Sequence, residues 1–140
     1  EDLPMPLRLT LSAGVLPVGL EAQAVEELTN AMLKAHGLLG NDVMTPNITA
    51  TVQVIPSSQT FFGGKPAKGV WAEWRTPSFA FSDHSVRQAY FKEATDIIVR
   101  LSGNTQPREH IHINVVHAVD GAWNFNGAAA TNDEIISAFS

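Results

Sequence analysis

Hydrophobic and polar residues alternate along this chain with two different periods. Positions 7–11 carry leucine at every second residue, which predicts a half-buried strand that ends at Ala13-Gly14. From about Leu20 to Leu38 apolar residues recur every three or four positions, which predicts an amphipathic helix. The β-branched, alternating segment that starts at Ile48 and ends at Pro56 predicts a second strand.

The second half of the chain repeats this order. A Gly/Pro-rich connection, FFGGKPAKG, leads to VWAEW and part of RTPSFAF, which predict a third strand broken by Pro77. A second helix is expected from Asp83 to Leu101, with Ser82 as its N-cap. The segment HIHINVVHAV is the most strand-like of the chain, and the tail from Thr131 is compatible with a helical turn or a strand.

This order is a βαβ unit written twice, over about residues 6–60 and 69–130. A crossover helix makes the two strands of each unit parallel. We therefore predict one α/β domain over residues 1–140, an α+β sandwich whose two units share a four-stranded sheet with both helices on one face. The other face is expected to be partly apolar and covered by self-association, because Trp71, Trp74, Phe79 and Phe81 are too many aromatic residues to leave in water.

Composition narrows the possible functions. The formal net charge is −5 and the nine Lys and Arg are scattered, which argues against a nucleic-acid partner. The absence of cysteine excludes disulfides, thiolate nucleophiles and cysteine-ligated metals. No apolar run approaches the roughly 20 residues of a membrane span, and no signal pattern opens the sequence, so we expect a cytoplasmic protein without a membrane partner.

Several short segments add a family resemblance to this pattern. These are Met5-Pro6 before LRLTL, the Ala35-His36-Gly37 helix end, the FFGG turn, and the late stretch HINVVHAVDGAWNFNGAAA. Together with the duplicated βαβ order they resemble the tautomerase superfamily, which includes oxalocrotonate tautomerases, macrophage migration inhibitory factor, cis-3-chloroacrylic acid dehalogenase and malonate semialdehyde decarboxylase. The resemblance covers nearly the whole chain.

The resemblance implies a cofactor-independent keto/enol tautomerase that acts on a small 2-oxo or enol carboxylic acid, and a homotrimer. Pro6, once N-terminal, is the implied acid/base, since a secondary amine titrates near neutral pH in an apolar pocket. Arg75 is the implied ligand of the carboxylate or enolate, with His36 assisting. The remaining candidates are a further substrate-binding cation and the aromatic residues that desolvate the amine: Arg8, Trp71, Trp123 and Phe125.

Alternatives remain open for these residues. If residues 1–5 belong to the natural protein, Pro6 is an amide and the chain is a non-catalytic tautomerase-like binding module; the Met5-Pro6 pair instead suggests that the natural chain starts at Met5. Glu73, on the same strand face as Arg75, either pairs with it or completes a polar site. His110 and His112 are a weak zinc signal without a third ligand, so no metal is predicted.

Two departures from the family pattern reduce the number of reactions that the resemblance implies. The segment RTPSFAF offers one arginine where the dehalogenase and decarboxylase branches have two. The late acidic residue of the dehalogenase branch has no convincing counterpart. Tautomerisation requires the fewest functional side chains of the reactions considered. Decarboxylation or hydration of a 3-oxo or unsaturated acid is a further alternative.

Overall fold

The computed structural model describes residues 3–139. Within these residues, three α-helices and eight strands follow one another: β1 (Met5–Ser12), α1 (Glu21–Ala35), β2 (Ile48–Ile55), β3 (Phe61–Phe62), β4 (Lys65–Pro66), β5 (Val70–Pro77), α2 (His84–Leu101), β6 (Ile111–Ala118), β7 (Trp123–Phe125), β8 (Ala128–Ala130) and α3 (Asn132–Ala138).

Four of these strands form the predicted four-stranded sheet, in the order β2-β1-β5-β6. Each βαβ unit contributes a parallel pair, β1 with β2 and β5 with β6, and the antiparallel β1–β5 pair joins the two units. The predicted α+β architecture is therefore confirmed. Two short hairpins, β3–β4 and β7–β8, were not predicted as strands because two- and three-residue strands carry no period.

Strand β1 fixes the two faces of the sheet. Residues of one parity, from Leu3 through Met5 and Leu7 to Leu11, are all buried and face α1 and α2. The opposite parity, which includes Pro6, Arg8 and Thr10, lies on a face that we call the open face. Each βαβ unit lays its helix on the same side, as predicted.

The prediction that the open face is rich in aromatic side chains is wrong. Trp74 and Phe81 are fully buried on the helix side, and Phe79 packs against the same core. Only Trp71 of the four lies on the open face, because residue parity on β5 places it opposite Thr10. The rest of that face is mainly polar, so its composition does not by itself require a cover.

Helix α2 begins one residue later than the predicted cap implies. Asp83, and not Ser82, is the N-cap: its carboxylate accepts hydrogen bonds from the hydroxyl and the backbone N–H of Ser85 at 2.8 and 2.9 Å. These bonds hold the pKa of Asp83 below its ordinary value. Helix α1 is also shorter than predicted and ends at Ala35, since His36 and Gly37 close it.

A buried hydrogen-bond chain connects β5 to both main helices. The Trp74 indole N–H donates to the Tyr90 hydroxyl at 2.8 Å, and that hydroxyl donates to the Leu28 carbonyl oxygen at 3.2 Å. Burial raises the pKa of the Tyr90 hydroxyl, so it stays protonated and able to donate. These two hydrogen bonds pair the Trp74 indole N–H and the Tyr90 hydroxyl, whose burial without partners would lower the stability of the fold.

The turn after β5 is held in a strained conformation by a histidine. Phe81 has a φ of +56° although it carries a side chain, and it is fully buried. Its N–H donates to His36 Nε2 at 2.9 Å, while His36 Nδ1 donates to the Met32 carbonyl oxygen at 2.9 Å. Arg87 donates to the Phe81 carbonyl oxygen, and His117 Nε2 donates to that of Ala80.

We predict that Tyr90→Phe lowers the free energy of unfolding by about 1–3 kcal/mol, because it leaves the Trp74 indole N–H buried without an acceptor. Urea denaturation measures the change. In a Trp74→Phe background the same substitution is expected to cost less, since the donor is already gone. Equal costs in the two backgrounds would show that the Trp74–Tyr90 bond does not contribute.

We predict that His36→Phe, which keeps an aromatic ring beside Phe81, also costs about 1–3 kcal/mol, because both ring hydrogen bonds are lost. His84 is exposed at the start of α2, so His84→Phe is the matched control and is expected to change stability by less than about 0.5 kcal/mol. Equal effects of the two substitutions would contradict a structural role for His36.

Candidate functional site

Pro6 is the second residue of β1 and is preceded by residues built into the core. Leu3 and Met5 are 1% and 2% exposed, and the Leu3 N–H donates to the buried Asn47 side-chain oxygen at 2.8 Å. Pro6 itself is half-buried beside Thr49 of β2. Its nitrogen is the amide of the Met5–Pro6 bond, which has neither a basic lone pair nor a proton.

Four of the predicted site residues lie on the open face: Pro6, Arg8, Trp71 and Arg75. Arg8 is opposite Glu73. Continuing the same register one step beyond the Leu7–Trp74 pair places Pro6 next to Arg75.

Arg75 makes an ion pair on this face, donating through Nε to a Glu73 carboxylate oxygen at 2.8 Å. Glu73 therefore pairs with Arg75, and such an exposed ion pair is worth at most about 1 kcal/mol.

Trp71 lies on the open face but away from Pro6. It is opposite Thr10, four residues along β1, which corresponds to about 13 Å. Its ring stacks with Phe62 of the β3–β4 hairpin at 5.5 Å, and Phe62 also stacks on His110 at 4.1 Å. Trp71 is thus part of an aromatic stack near Thr10 of β1 and does not contribute to the surroundings of Pro6.

His36 lies on the helix side of the sheet, opposite to Pro6. Both of its ring nitrogens have partners, and a carbonyl oxygen can only accept, so Nδ1 carries the proton and Nε2 accepts from Phe81. This is the neutral tautomer. The structure therefore does not bring His36 together with Pro6 or Arg75.

Trp123 and Phe125 lie in a third place, the β7–β8 hairpin. The Phe125 ring packs on Phe139 at 5.8 Å, just after α3, and this contact helps to dock the C-terminal helix. The Trp123 indole N–H is buried and has no hydrogen-bond partner within residues 3–139. Neither side chain touches the open face near Pro6 through any described contact.

Sequence reasoning missed a cavity of about 700 Å³ on the helix side, which we call the helix-side cavity. It lies among the start of β1, the end of α1 with the following loop, the turn after β5, and α3. The residues that line it are mainly apolar: Leu3, Met5, Met32, His36, Leu38, Asn41, Val43, Met44, Phe79, Ala80, Ile135, Ile136, Ala138 and Phe139. The i, i+4 spacing of Ile135 and Phe139 was the available signal for an apolar helix face.

The helix-side cavity has few polar groups. His36 is neutral and fully hydrogen-bonded, and the Asn41 side-chain oxygen accepts from the backbone N–H groups of Val43 and Met44 at 2.9 and 2.8 Å. No Lys, Arg, Asp or Glu is among its described lining residues. The cavity has the size and apolar character of a small-molecule site.

The described residues provide neither a metal centre nor a membrane-spanning helix. Over residues 3–139, no group of three or more His, Cys, Asp or Glu side chains is placed to hold a metal ion. No helix within the same range has the length and apolarity to cross a membrane.

Comparison with known proteins gives a fold but no sequence relative. No protein-family model and no curated protein matches this sequence. Among solved structures, the chain is similar to Pt0534 inactivated by 2-oxo-3-pentynoate, with a TM-score of 0.75 at 11% identity over 93% of this chain and 98% of that one. A fused 4-OT in a symmetric trimer matches with a TM-score of 0.73 at 10% identity, over 89% and 94%.

A third similar structure is macrophage migration inhibitory factor from Oncomelania hupensis, with a TM-score of 0.64 at 18% identity over 89% of this chain and 96% of that one. Identities this low show the fold and leave the activity open. The structural neighbours are tautomerase superfamily members, and this chain has their fold.

Proposed function

We propose that this chain is a small-molecule-binding module with the tautomerase fold, in which the helix-side cavity is the binding site and Pro6 is not an acid/base. The observation that carries the proposal is the environment of residues 3–5. Leu3 and Met5 are buried in the core and line the cavity, and Met5 acylates Pro6. A tertiary amide supplies no proton shuttle.

The same burial argues that residues 3–5 are part of the folding unit. Fully burying one large apolar side chain contributes about 1.5–3 kcal/mol, and the segment buries both Leu3 and Met5. It also supplies the Leu3 N–H that satisfies the buried Asn47 side chain. A chain that began at Pro6 would lose all three interactions and open one wall of the cavity.

The second candidate is the cofactor-independent tautomerase, for a chain whose first residue is Pro6. It is favoured by the placement of Pro6, Arg8 and Arg75 together on the open face. In that chain the Pro6 amine would shuttle the proton, and Arg75 would exchange Glu73 for the carboxylate of a small 2-oxo or enol acid. A neighbour inactivated by 2-oxo-3-pentynoate agrees with this substrate class. Decarboxylation or hydration would need the same amine.

A homotrimer is part of the proposal. Trimeric 4-OT structures are among the neighbours, and β2 lies at one edge of the sheet. The eight residues of β2 include neither a charge nor a proline, and its Val52 and Val54 are exposed. An edge strand without such protection favours pairing with another chain.

We predict that the chain of residues 1–140, with its intact mass verified, ketonises phenylenolpyruvate no faster than its Pro6→Ala variant, because both lack a free proline amine. The comparison is a chain produced from Met5, whose initiator methionine is removed to leave Pro6 first. Activity of that chain that disappears with Pro6→Ala would support the second candidate. Pro6-dependent activity of the intact 1–140 chain would contradict the first.

We predict that light scattering on a size-exclusion column gives a mass about three times the 15.1 kDa of the chain. Val54→Lys on β2 is expected to shift the mass toward that of one chain, because a lysine protects an edge strand from pairing. Val18→Lys, at an exposed loop position, is the matched control and should leave the mass unchanged. A single-chain mass for the unmodified protein would exclude the trimer.

A further inference from the structure

We propose that the helix-side cavity takes an uncharged, largely hydrocarbon molecule whose polar group is one hydrogen-bond acceptor such as a ketone oxygen, and that it rejects carboxylates. This inference rests on the proposed function, in which the cavity is the binding site. It names a ligand class different from the carboxylic acids that the family resemblance implies.

The lining supports a hydrocarbon ligand. Three methionines, Met5, Met32 and Met44, and two phenylalanines, Phe79 and Phe139, surround a volume of about 700 Å³. Methionine side chains are flexible and polarizable, and they pack well against aromatic rings. A cavity with these walls gains affinity by removing apolar surface from water and adapts to the shape of the ligand.

The electrostatics of the cavity argue against an anion. None of the described residues that line it carries a positive charge. Arg87 donates to the Phe81 carbonyl oxygen and is not part of the lining. A carboxylate without a cation or several donors pays a large desolvation cost on entering such a site.

Among the described residues of the lining, Asn41 has a side-chain donor that makes no hydrogen bond within residues 3–139. Its side-chain oxygen accepts from Val43 and Met44, and this fixes the orientation of the amide. The Nδ2 group then has no acceptor among residues 3–139, so it is free to donate to a ligand oxygen. Val43, which is 55% exposed, and the exposed Ile136 give the mouth an apolar rim.

The test uses two nearly isosteric probes that differ in charge. The neutral dye N-phenyl-1-naphthylamine reports occupancy of the cavity by its fluorescence, and 4-phenylbutan-2-one and 3-phenylpropanoate compete with it. We expect the ketone to displace the dye at least about tenfold more effectively than the carboxylate, because only the carboxylate carries an unpaired charge into the cavity.

Matched variants locate the binding. Val43→Asp, which adds a negative charge at the mouth, is expected to weaken binding of the dye and the ketone at least about fivefold, while Val119→Asp, at a residue 76% exposed and outside the cavity, changes it by less than about twofold. Asn41→Asp keeps the acceptor for the two backbone N–H groups and removes the Nδ2 donor. It also adds a negative charge, whose effect the dye reports alone because it has no acceptor oxygen, so binding of the ketone should weaken more than binding of the dye.

Each outcome decides one question. Equal or stronger competition by the carboxylate would overturn the ligand class while leaving the cavity as a site. Absence of dye binding, or equal effects of Val43→Asp and Val119→Asp, would overturn the cavity itself. Neither result depends on the ketonisation assay, which tests the role of Pro6 separately.

Discussion

The strict alternation of β1 is the constraint on which the rest of the molecule depends. Burial of Leu3, Met5, Leu7, Leu9 and Leu11 on one face leaves no freedom in the register, because a shift of one residue would turn five apolar side chains into solvent. The same parity sends Pro6 and Arg8 to the open face. It also makes Leu3 and Met5 a wall of the helix-side cavity.

Long periodic segments could be predicted from the sequence, and short or cap-defined ones could not. The strands around Leu7–Leu11 and Ile48–Ile55 and both main helices follow from two periods that persist over many residues. The prediction of Ser82 as the N-cap of α2 was wrong: serine and aspartate both favour that position, and the contact of Asp83 with Ser85 decides it. The tail was compatible with two structures until the Thr131–Glu134 capping box started α3.

The candidate site could likewise be predicted only in part. Strand parity was enough to group Pro6 with Arg8, and Trp71 with Glu73 and Arg75. It could not show that Trp71 stacks with Phe62 of the preceding hairpin, because that contact depends on the close approach of both rings over Gly69, where a Cβ would lie 2.6 Å from each ring. The cavity was invisible for a related reason: its walls come from four segments far apart in the sequence.

The two candidate functions use opposite faces of one sheet and exclude each other in one chain. Proline chemistry at the open face requires Pro6 to be the first residue, and this removes Leu3 and Met5 from the helix-side cavity. Cavity binding requires that wall, and the residues that form it keep Pro6 an amide. The charged residues near the two candidate sites differ in the same way: Arg8 and the Arg75–Glu73 pair lie on the open face, and no Lys, Arg, Asp or Glu is among the described residues that line the helix-side cavity. Under the two proposals an acid would therefore bind at the open face, and the helix-side cavity would take ligands that need no counter-ion.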